Sequence, residues 1–316
     1  NRVSANIAKS DVKKELRFDY VNPFYTVDGV SRGFDVFFRK EDFAQNSTSK
    51  FKINEYGGGV TFGYPINEYQ RISLRLGAEN VEVQPNTVTS EEVKNYIATN
   101  GEKFVNTNAT LFWNENRMNR GLFPTNGRKQ SVSFELSVPG SDLSYYRLKY
   151  NGSWIKSLTL DERWLVGARG NFGYSNKIGN KDFPFFKHFF AGGIGTMRGV
   201  SNNSLGPRDS LDDPIGGNIS ITGGADLIVP LLDDVKKYRT SLFVDFGGIY
   251  TTNCLKGSAA SNCKTGVDFG ELKYSTGIGF TWITPLGPLT FSYAKLLNKK
   301  STDSEKTFDF TLGGTF

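Results

Sequence analysis

The side chains that could carry chemistry are few, and their types and spacing do not form a catalytic set. The sole histidine, His188, lies between Phe185-Phe186-Lys187 and Phe189-Phe190, which favours packing over general-base catalysis. The segment Gly192-Gly193-Ile194-Gly195 lacks the Lys-Ser/Thr pair that completes a phosphate-binding loop. Nucleophile motifs and metal-ligand spacings are missing as well. The sequence predicts a protein that is not an enzyme and that carries no metal or cofactor.

The two cysteines, Cys254 and Cys263, form a second group of reactive side chains. They are too few for a zinc site, and they flank a stretch rich in Gly, Ser and Asn. A bridge that closes a loop suits this spacing, and such bridges persist in oxidising compartments. We expect a Cys254–Cys263 disulfide.

Charge and hydropathy exclude two classes of protein. The 38 basic and 32 acidic residues give a net charge of +6 that is spread along the chain, which does not favour nucleic-acid binding. No run of apolar residues approaches the length of roughly 18 that a membrane-spanning helix needs. The 35 Gly and 26 Phe residues, beside 2 Met, also argue against a helical core.

The elements that must position these side chains are strands, because apolar and polar residues alternate with period two along the chain. In 71–79 the even positions are apolar, while the odd positions are Arg, Ser, Arg, Gly and Glu. This pattern predicts fourteen strands, at 2–10, 13–25, 31–40, 52–65, 70–83, 104–114, 129–139, 145–158, 163–174, 217–230, 239–250, 271–284, 288–296 and 307–316.

Three features favour a barrel in a bilayer over a water-soluble all-β protein. One face of each strand carries Phe, Trp, Leu and Val and the other carries charges, Gly and Asn. All fourteen predicted strands, at nine residues or more, are longer than the five or six residues usual in globular sheets. Aromatic residues near strand ends resemble interfacial girdles: Tyr20, Phe24, Tyr25, Tyr64, Tyr69, Tyr145, Tyr146 and Phe316. The predicted fold is all-β, a transmembrane antiparallel up-and-down β-barrel.

The connections alternate between short turns and longer loops. The longer ones cover 41–51, 84–103, 175–216, 251–270 and 297–306. In outer-membrane barrels the short turns are periplasmic and the long loops are external, so both ends of this chain are expected on the periplasmic side. Within 84–103, the spacing of Thr89 and Glu92 predicts a helix that begins with a capping box.

The longest loop carries the most specific pattern. Its Arg198-Gly199 core, followed by Leu205-Gly206-Pro207, resembles the inward-folding loop of the BamA family, outer-membrane assembly factors whose barrels follow periplasmic POTRA domains. Further matches occur in chain order at 22–30, 63–69, 120–127, 138–142 and 285–294. The resemblance implies that 175–216 folds into the lumen.

The resemblance also implies an anchor for this loop. In the family, the loop arginine is held by the acidic residue of a Phe-x-Asp-x-Gly strand motif, which matches Phe243, Asp245 and Gly247. An arginine in a confined lumen requires a bidentate carboxylate, and breaking the pair could cost about 3 kcal/mol. Met197 and Val200 depart from the family, which has Val or Ile before the Arg-Gly pair and an aromatic residue after it.

The end of the chain resembles the C-terminal signal of barrel proteins that an assembly machine recognises. Alternating residues lead to a terminal phenylalanine: Phe308, Phe310, Leu312, Gly314 and Phe316. Gly313 and Gly314 would weaken strand pairing at a lateral seam. Because the family barrel has sixteen strands, we expect residues 1–316 to be a barrel domain without its first two strands and without POTRA domains.

The function implied by the resemblance is insertion and folding of β-barrel proteins in the bacterial outer membrane, through a lateral seam and without a nucleotide. The implied partners are unfolded outer-membrane proteins, assembly-complex lipoproteins, and outer-membrane lipid and lipopolysaccharide, and not nucleic acid. Two alternatives remain open. The first is a two-partner secretion transporter that exports a protein through its pore, and the second is a passive porin.

Overall fold

In the part of the chain that the structure describes, fourteen strands form one antiparallel sheet, in which each strand lies beside the next strand of the sheet. The computed structural model describes residues 1–10, 12–43, 48–86, 88–232, 234, 237–258 and 263–313. The strands of the sheet are β1 (Arg2–Lys9), β2 (Lys13–Asn22), β3 (Ser31–Asp42), β4 (Phe51–Pro65), β5 (Gln70–Pro85), β6 (Lys103–Asn116), β7 (Gly127–Ser137), β8 (Tyr145–Ser157), β9 (Leu165–Lys177), β11 (Ile219–Val229), β12 (Tyr238–Tyr250), β13 (Lys273–Thr284), β14 (Gly287–Leu296) and β16 (Phe308–Leu312). The short strands β10 (Gly199–Val200) and β15 (Glu305–Lys306) pair with each other, and helix α1 spans Glu91–Asn100.

Each predicted strand overlaps one strand of the sheet, so the all-β antiparallel prediction is confirmed. The last strand differs in length, because β16 ends at Leu312 whereas the prediction ran over 307–316. Gly313 follows β16 with φ +75°, outside the extended region. The predicted positions Gly314 and Phe316 lie outside the described residues.

The two faces of the sheet differ in polarity. Leu74, Leu111 and Phe134 align across β5, β6 and β7, and all three side chains are exposed on the outer face. The next residue on β5, Arg75, turns to the inner face and donates to both carboxylate oxygens of Asp35 at 2.9 and 2.8 Å. Register and period two therefore place the apolar residues outside and the charged residues inside, as predicted.

The sheet curls around the segment 178–218 that joins β9 to β11, which we call the inner segment. Lys187 of this segment contacts Glu79 on β5, and Arg198 contacts Asp245 on β12. Five strands lie between β5 and β12 in the sheet order. One segment can reach both strands only if the sheet bends around it.

The inner face also carries two apolar clusters that pack against the inner segment. One cluster joins α1 to strand ends of the sheet and to Phe185 and Phe186 of the inner segment. The other consists of Phe189, Ala191, Met197, Val200, Leu205, Ile249 and Leu296. Tyr145 belongs to the first cluster and is fully buried, so its expected place in an aromatic girdle is wrong. Its parity turns it inward, where its hydroxyl donates to Glu135 at 2.5 Å.

Helix α1 confirms the expected helix in 84–103, but its predicted capping box is wrong. The N-cap residue is Ser90, and its side chain makes no capping hydrogen bond. The Thr89 hydroxyl instead accepts from the amide of Asn86 at 2.7 Å. Glu92 accepts from the amide and the hydroxyl of Ser210 at 3.1 and 2.9 Å, which ties α1 to the inner segment.

Among the described residues, the helices are all too short or too polar to cross a membrane.

Candidate functional site

The tip of the inner segment is a tight turn that presents Arg198. The amide of Met197 donates to the carbonyl of Gly193 at 3.0 Å, and the amide of Gly193 donates to the carbonyl of Val200 at 2.9 Å. Gly199 has φ +87°, a conformation that residues with a side chain rarely adopt. A Cβ at Gly199 would also lie 3.2 Å from both Ser275 and Ala294 on the wall. The glycine after Arg198 is therefore required by both conformation and space.

Arg198 forms a bidentate ion pair with Asp245 of β12. Its Nε and Nη2 donate to Oδ2 and Oδ1, each at 2.7 Å, and its backbone amide donates to Oδ2 at 3.1 Å. The Arg198 side chain is 11% exposed and the Asp245 side chain is 0% exposed. The structure thus brings together the two residues that the resemblance had paired.

Two further charged residues complete this cluster. Arg198 Nη1 donates to Asp226 of β11 at 2.9 Å, and Arg169 of β9 pairs with Asp245 at 2.7 Å. Two arginines and two aspartates therefore balance their charges. Our sequence reasoning missed both residues as partners. The alternation of inward and outward residues along β9 and β11 could have identified them. Asp226 lies opposite Phe243, and Arg169 lies opposite Gly224, all on the inner face.

An aromatic contact to Arg198 comes from the wall of the barrel. The guanidinium carbon of Arg198 lies 3.4 Å from the ring centroid of Phe243, a cation–π contact, and Phe243 is buried. Met197 and Val200, which depart from the family pattern, are instead buried in the second apolar cluster. Strand β12, which carries the Phe-x-Asp-x-Gly motif, thus provides both the carboxylate and the aromatic ring that contact Arg198.

The cluster is electrostatically suited to binding and not to proton transfer. Burial alone would lower the pKa of the Arg198 guanidinium, but hydrogen bonds and charge from Asp245, with the charge of Asp226, raise that pKa above its ordinary value. Arg198 is therefore charged at any physiological pH. Within the described ranges, no three His, Cys, Asp or Glu side chains are grouped to hold a metal ion.

Gly224 of β11 makes room for the carboxylate. It lies opposite Asp245 in the β11–β12 ladder, and a Cβ at this position would lie 2.2 Å from Asp245 Oδ1. The remaining predicted loop positions are close by. Gly247 lies next to Met197, Gly206 packs against Ile249, and the carbonyl of Pro207 accepts from the amide of Ile215 at 3.0 Å.

The predicted C-terminal signal residues lie away from the cluster, on the outer face of β16. Phe308, Phe310 and Leu312 are all exposed, and Phe308 and Phe310 contact the ring of Phe291 on β14 at centroid distances of 6.2 and 6.4 Å. Gly313 donates its amide to the carbonyl of Pro288 at 2.8 Å. These residues form an outward row at the end of the sheet.

The disulfide between Cys254 and Cys263 is present, as predicted. Its loop packs on α1, because Leu255 contacts the first apolar cluster and the Asn95 amide nitrogen donates to the carbonyl of Lys256 at 3.2 Å. The bridge therefore stabilises a loop, 251–270, that packs on the helix of another loop, 84–103.

His188 packs as its aromatic surroundings indicated. Its ring stacks on Phe183 at 5.6 Å, and its Nδ1 donates to the carbonyl of Ile215 at 2.9 Å. Burial lowers the pKa of His188 to about 4, so the ring is neutral at physiological pH. It links the two halves of the inner segment.

Comparison with known proteins agrees with this geometry. The Omp85 superfamily domain matches residues 1–316. The chain is 32% identical to the outer membrane protein assembly factor BamA of Neisseria meningitidis serogroup B, over 99% of this chain and 42% of that protein. It thus spans less than half the length of this curated relative.

Two solved structures resemble the fold. The crystal structure of BamA from Haemophilus ducreyi lacking POTRA domains 1–3 has a TM-score of 0.92 and 30% identity, covering 99% of this chain and 64% of that chain. CdiB from Acinetobacter baumannii has a TM-score of 0.57 and 10% identity, covering 95% of this chain and 50% of that chain, and shares the fold alone.

The predicted barrel is confirmed by the likeness to the BamA structure. Family membership also agrees with the prediction that the chain is not an enzyme, and places it in the outer membrane. The curled sheet of fourteen strands, with Arg198 and Asp245 paired inside it, belongs to the Omp85 superfamily and has the fold of the BamA barrel domain.

Proposed function

We propose that this chain is the barrel of an assembly factor that inserts and folds β-barrel proteins in the bacterial outer membrane. The observation that carries the proposal is the buried Arg198–Asp245 pair, which holds the inner segment in a barrel similar to BamA. The relative from Neisseria meningitidis bears the same function in its name.

The physical basis of assembly is the hydrogen-bonding demand of a strand in lipid. Hydrocarbon offers no partner for N–H and C=O groups, so a client strand gains by pairing with an exposed strand edge. Among the described residues, β16 pairs with β14 over five residues, from Phe308 to Leu312, whereas β4 and β5 pair over fifteen, from Phe51 to Pro65. A short ladder has fewer hydrogen bonds to break, so the end of the sheet is the place for lateral opening. No nucleotide is required for this exchange.

The inner segment keeps the barrel ordered while its seam opens. Arg198 contacts β11 and β12, and Ser275 of β13 donates to the Arg198 carbonyl at 2.5 Å. One residue therefore fastens three adjacent strands. We infer that this anchor preserves the wall on one side as the opposite edge exchanges partners with a client.

The partners follow from this function. Unfolded outer-membrane proteins are the clients, and assembly-complex lipoproteins are expected to bind the full-length protein. Lipid and lipopolysaccharide are expected to contact the apolar outer face, which exposes residues such as Leu74, Phe134 and Val244.

Depletion of the full-length protein tests the proposal. We expect many unrelated outer-membrane barrels to decline together, and the wild-type protein in lipid vesicles to accelerate membrane insertion of an unfolded client barrel. Loss of a single exported protein, with other barrels unchanged, would instead indicate a two-partner secretion transporter and would overturn the proposal.

A further inference from the structure

The inner segment has a second charged contact, on the wall away from Asp245. Lys187 ends a short 3-10 turn, Phe185–Lys187, and its Nζ lies 2.8 Å from Glu79 Oε1 on β5 and 3.6 Å from Glu55 Oε1 on β4. The Lys187 side chain is 13% exposed, and those of Glu79 and Glu55 are 9% and 4% exposed. The contact is therefore nearly dry.

The carboxylates around Lys187 are held in place by other groups. Glu79 also accepts from the side-chain amide of Asn106 on β6 at 2.9 Å, and Glu55 pairs with Arg39 of β3. The apolar neighbours Phe185 and Phe186 are buried in the first apolar cluster. A lysine ammonium buried in this way requires its carboxylate partners, because an unpaired charge there would be costly.

The positions of the two contacts in the sheet give them a joint meaning. Lys187 and Arg198 are eleven positions apart in the chain, yet one fastens to β4 and β5 and the other to β11 and β12. In the sheet order, five strands lie between β5 and β12. Three more strands, β13, β14 and β16, lie between β12 and the end of the sheet. The two anchors therefore hold different walls of the same barrel.

We propose that Lys187 is a positioning residue that, together with Arg198, makes the stretch from 187 to 198 a brace between the β4–β5 wall and the β11–β12 wall. The brace fixes the distance between these walls while the end of the sheet opens. Its role in client insertion rests on the proposed function, whereas its effect on the barrel does not.

The test uses the full-length protein in lipid nanodiscs, with spin labels at Leu76 on β5 and Val244 on β12. Both side chains are exposed on the outer face, so labels there leave the inner segment untouched. Lys187→Met keeps the stem of the side chain and removes the charge. Lys129→Met, near the start of β7, makes the same change away from this contact and is the control.

For Lys187→Met we expect a broader distribution of the label distance and amide exchange at 185–189 faster by about tenfold or more. Amides at 193–200, next to Arg198, should keep their wild-type exchange rates. Lys129→Met should leave both the distance and these exchange rates unchanged. Equal acceleration at 185–189 and 193–200, or an unchanged distance distribution, would overturn the brace.

Glu79→Gln provides a second variant if Lys187→Met does not fold. It keeps Lys187 and one hydrogen-bond acceptor, and we expect a change in the same direction. Client insertion by the wild-type protein is measured in parallel. Its absence would contradict the proposed function, while an unaltered wall distance in both variants would contradict the brace alone.

Discussion

The guanidinium of Arg198 lies over the ring of Phe243, with 3.4 Å from its central carbon to the ring centroid. Phe243 is two residues before Asp245 on β12, so one strand supplies the face that covers the cation and the carboxylate that pairs with it. This contact combines ring electrostatics with exclusion of water.

Replacement of Phe243 by Leu should therefore destabilise the barrel by about 1 to 3 kcal/mol, from lost cation–π energy and from the cavity. The measurement is the temperature at which the folded band disappears on semi-native gels. Phe246→Leu removes a ring from the opposite, outer face of the same strand and should have little effect. Equal losses for the two variants would argue against the contact.

Loss of Arg198 should have a larger effect. Arg198→Ala leaves the buried Asp245 carboxylate with Arg169 alone and should cost about 3 kcal/mol, with weaker assembly activity. In a double-mutant cycle with Asp245→Asn, the two losses should not add. Lys94→Ala breaks an exposed pair with Glu91 and should be nearly neutral. Unchanged heat resistance of Arg198→Ala would contradict the anchor.

The disulfide should act locally. Reduction of the Cys254–Cys263 bridge, or its replacement by two serines, should destabilise its loop by about 2 to 3 kcal/mol in the chain-entropy model. Hydrogen exchange should accelerate at 253–258 and in α1, because Lys256 accepts from Asn95 of α1. Strand β12 should exchange at its wild-type rate, and unchanged exchange of α1 after reduction would refute the linkage.

Acid should loosen the inner segment around His188. Its folded-state pKa of about 4 is below the ordinary value of 6.5, so the unfolded segment binds more protons between these values. Stability is fully present above pH 6.5, and about 3 kcal/mol is lost as the pH falls to 4. Protection factors of the amides at 185–189, which correct for the intrinsic pH dependence of exchange, measure this loss when they are compared at pH 7 and pH 4.5. His188→Gln should remove the pH dependence, and its persistence would implicate another group.

The outer face should tolerate charge poorly. Leu74→Arg places a cation on the outer face of β5 and should destabilise the barrel in lipid by about 2 to 4 kcal/mol if it lies near the midplane. Leu160→Arg makes the same change in a fully exposed turn between β8 and β9 and should have almost no effect. The stabilities of the two variants are compared in vesicles of bacterial lipid. Equal stability would show that Leu74 does not face lipid.

Strand positions could be predicted from the sequence because period two is a local property, visible within a segment such as 71–79. The same parity turned Tyr145 inward, although its place near a strand end suggested an interfacial residue. The predicted Thr89 cap was wrong because α1 begins one residue later, after Ser90, and the Thr89 hydroxyl bonds to the backbone of Asn86 and Lys50 outside the helix. Local rules are overruled where a neighbour offers a competing hydrogen bond.

The charged contacts of the inner segment were harder to predict. The Arg198–Asp245 pairing came from a resemblance and not from the pattern of the strands. Lys187 lies among phenylalanines with no period to orient it, and its partner Glu79 is more than a hundred positions away in the chain. Which wall a loop residue reaches depends on the curvature of the whole sheet, and no short window of sequence contains that curvature.

Gly224 shows what the carboxylate demands of its surroundings. Alanine is the mildest replacement available, yet its methyl carbon would lie 2.2 Å from Asp245 Oδ1, far inside van der Waals contact. At Gly170 on β9, the same methyl carbon would meet no heavy atom within 4 Å. In a library of all substitutions, the barrel should fold with several residues at position 170 and with none but glycine at position 224. The tolerated side chains at 224 would therefore report how much space the Asp245 carboxylate takes up.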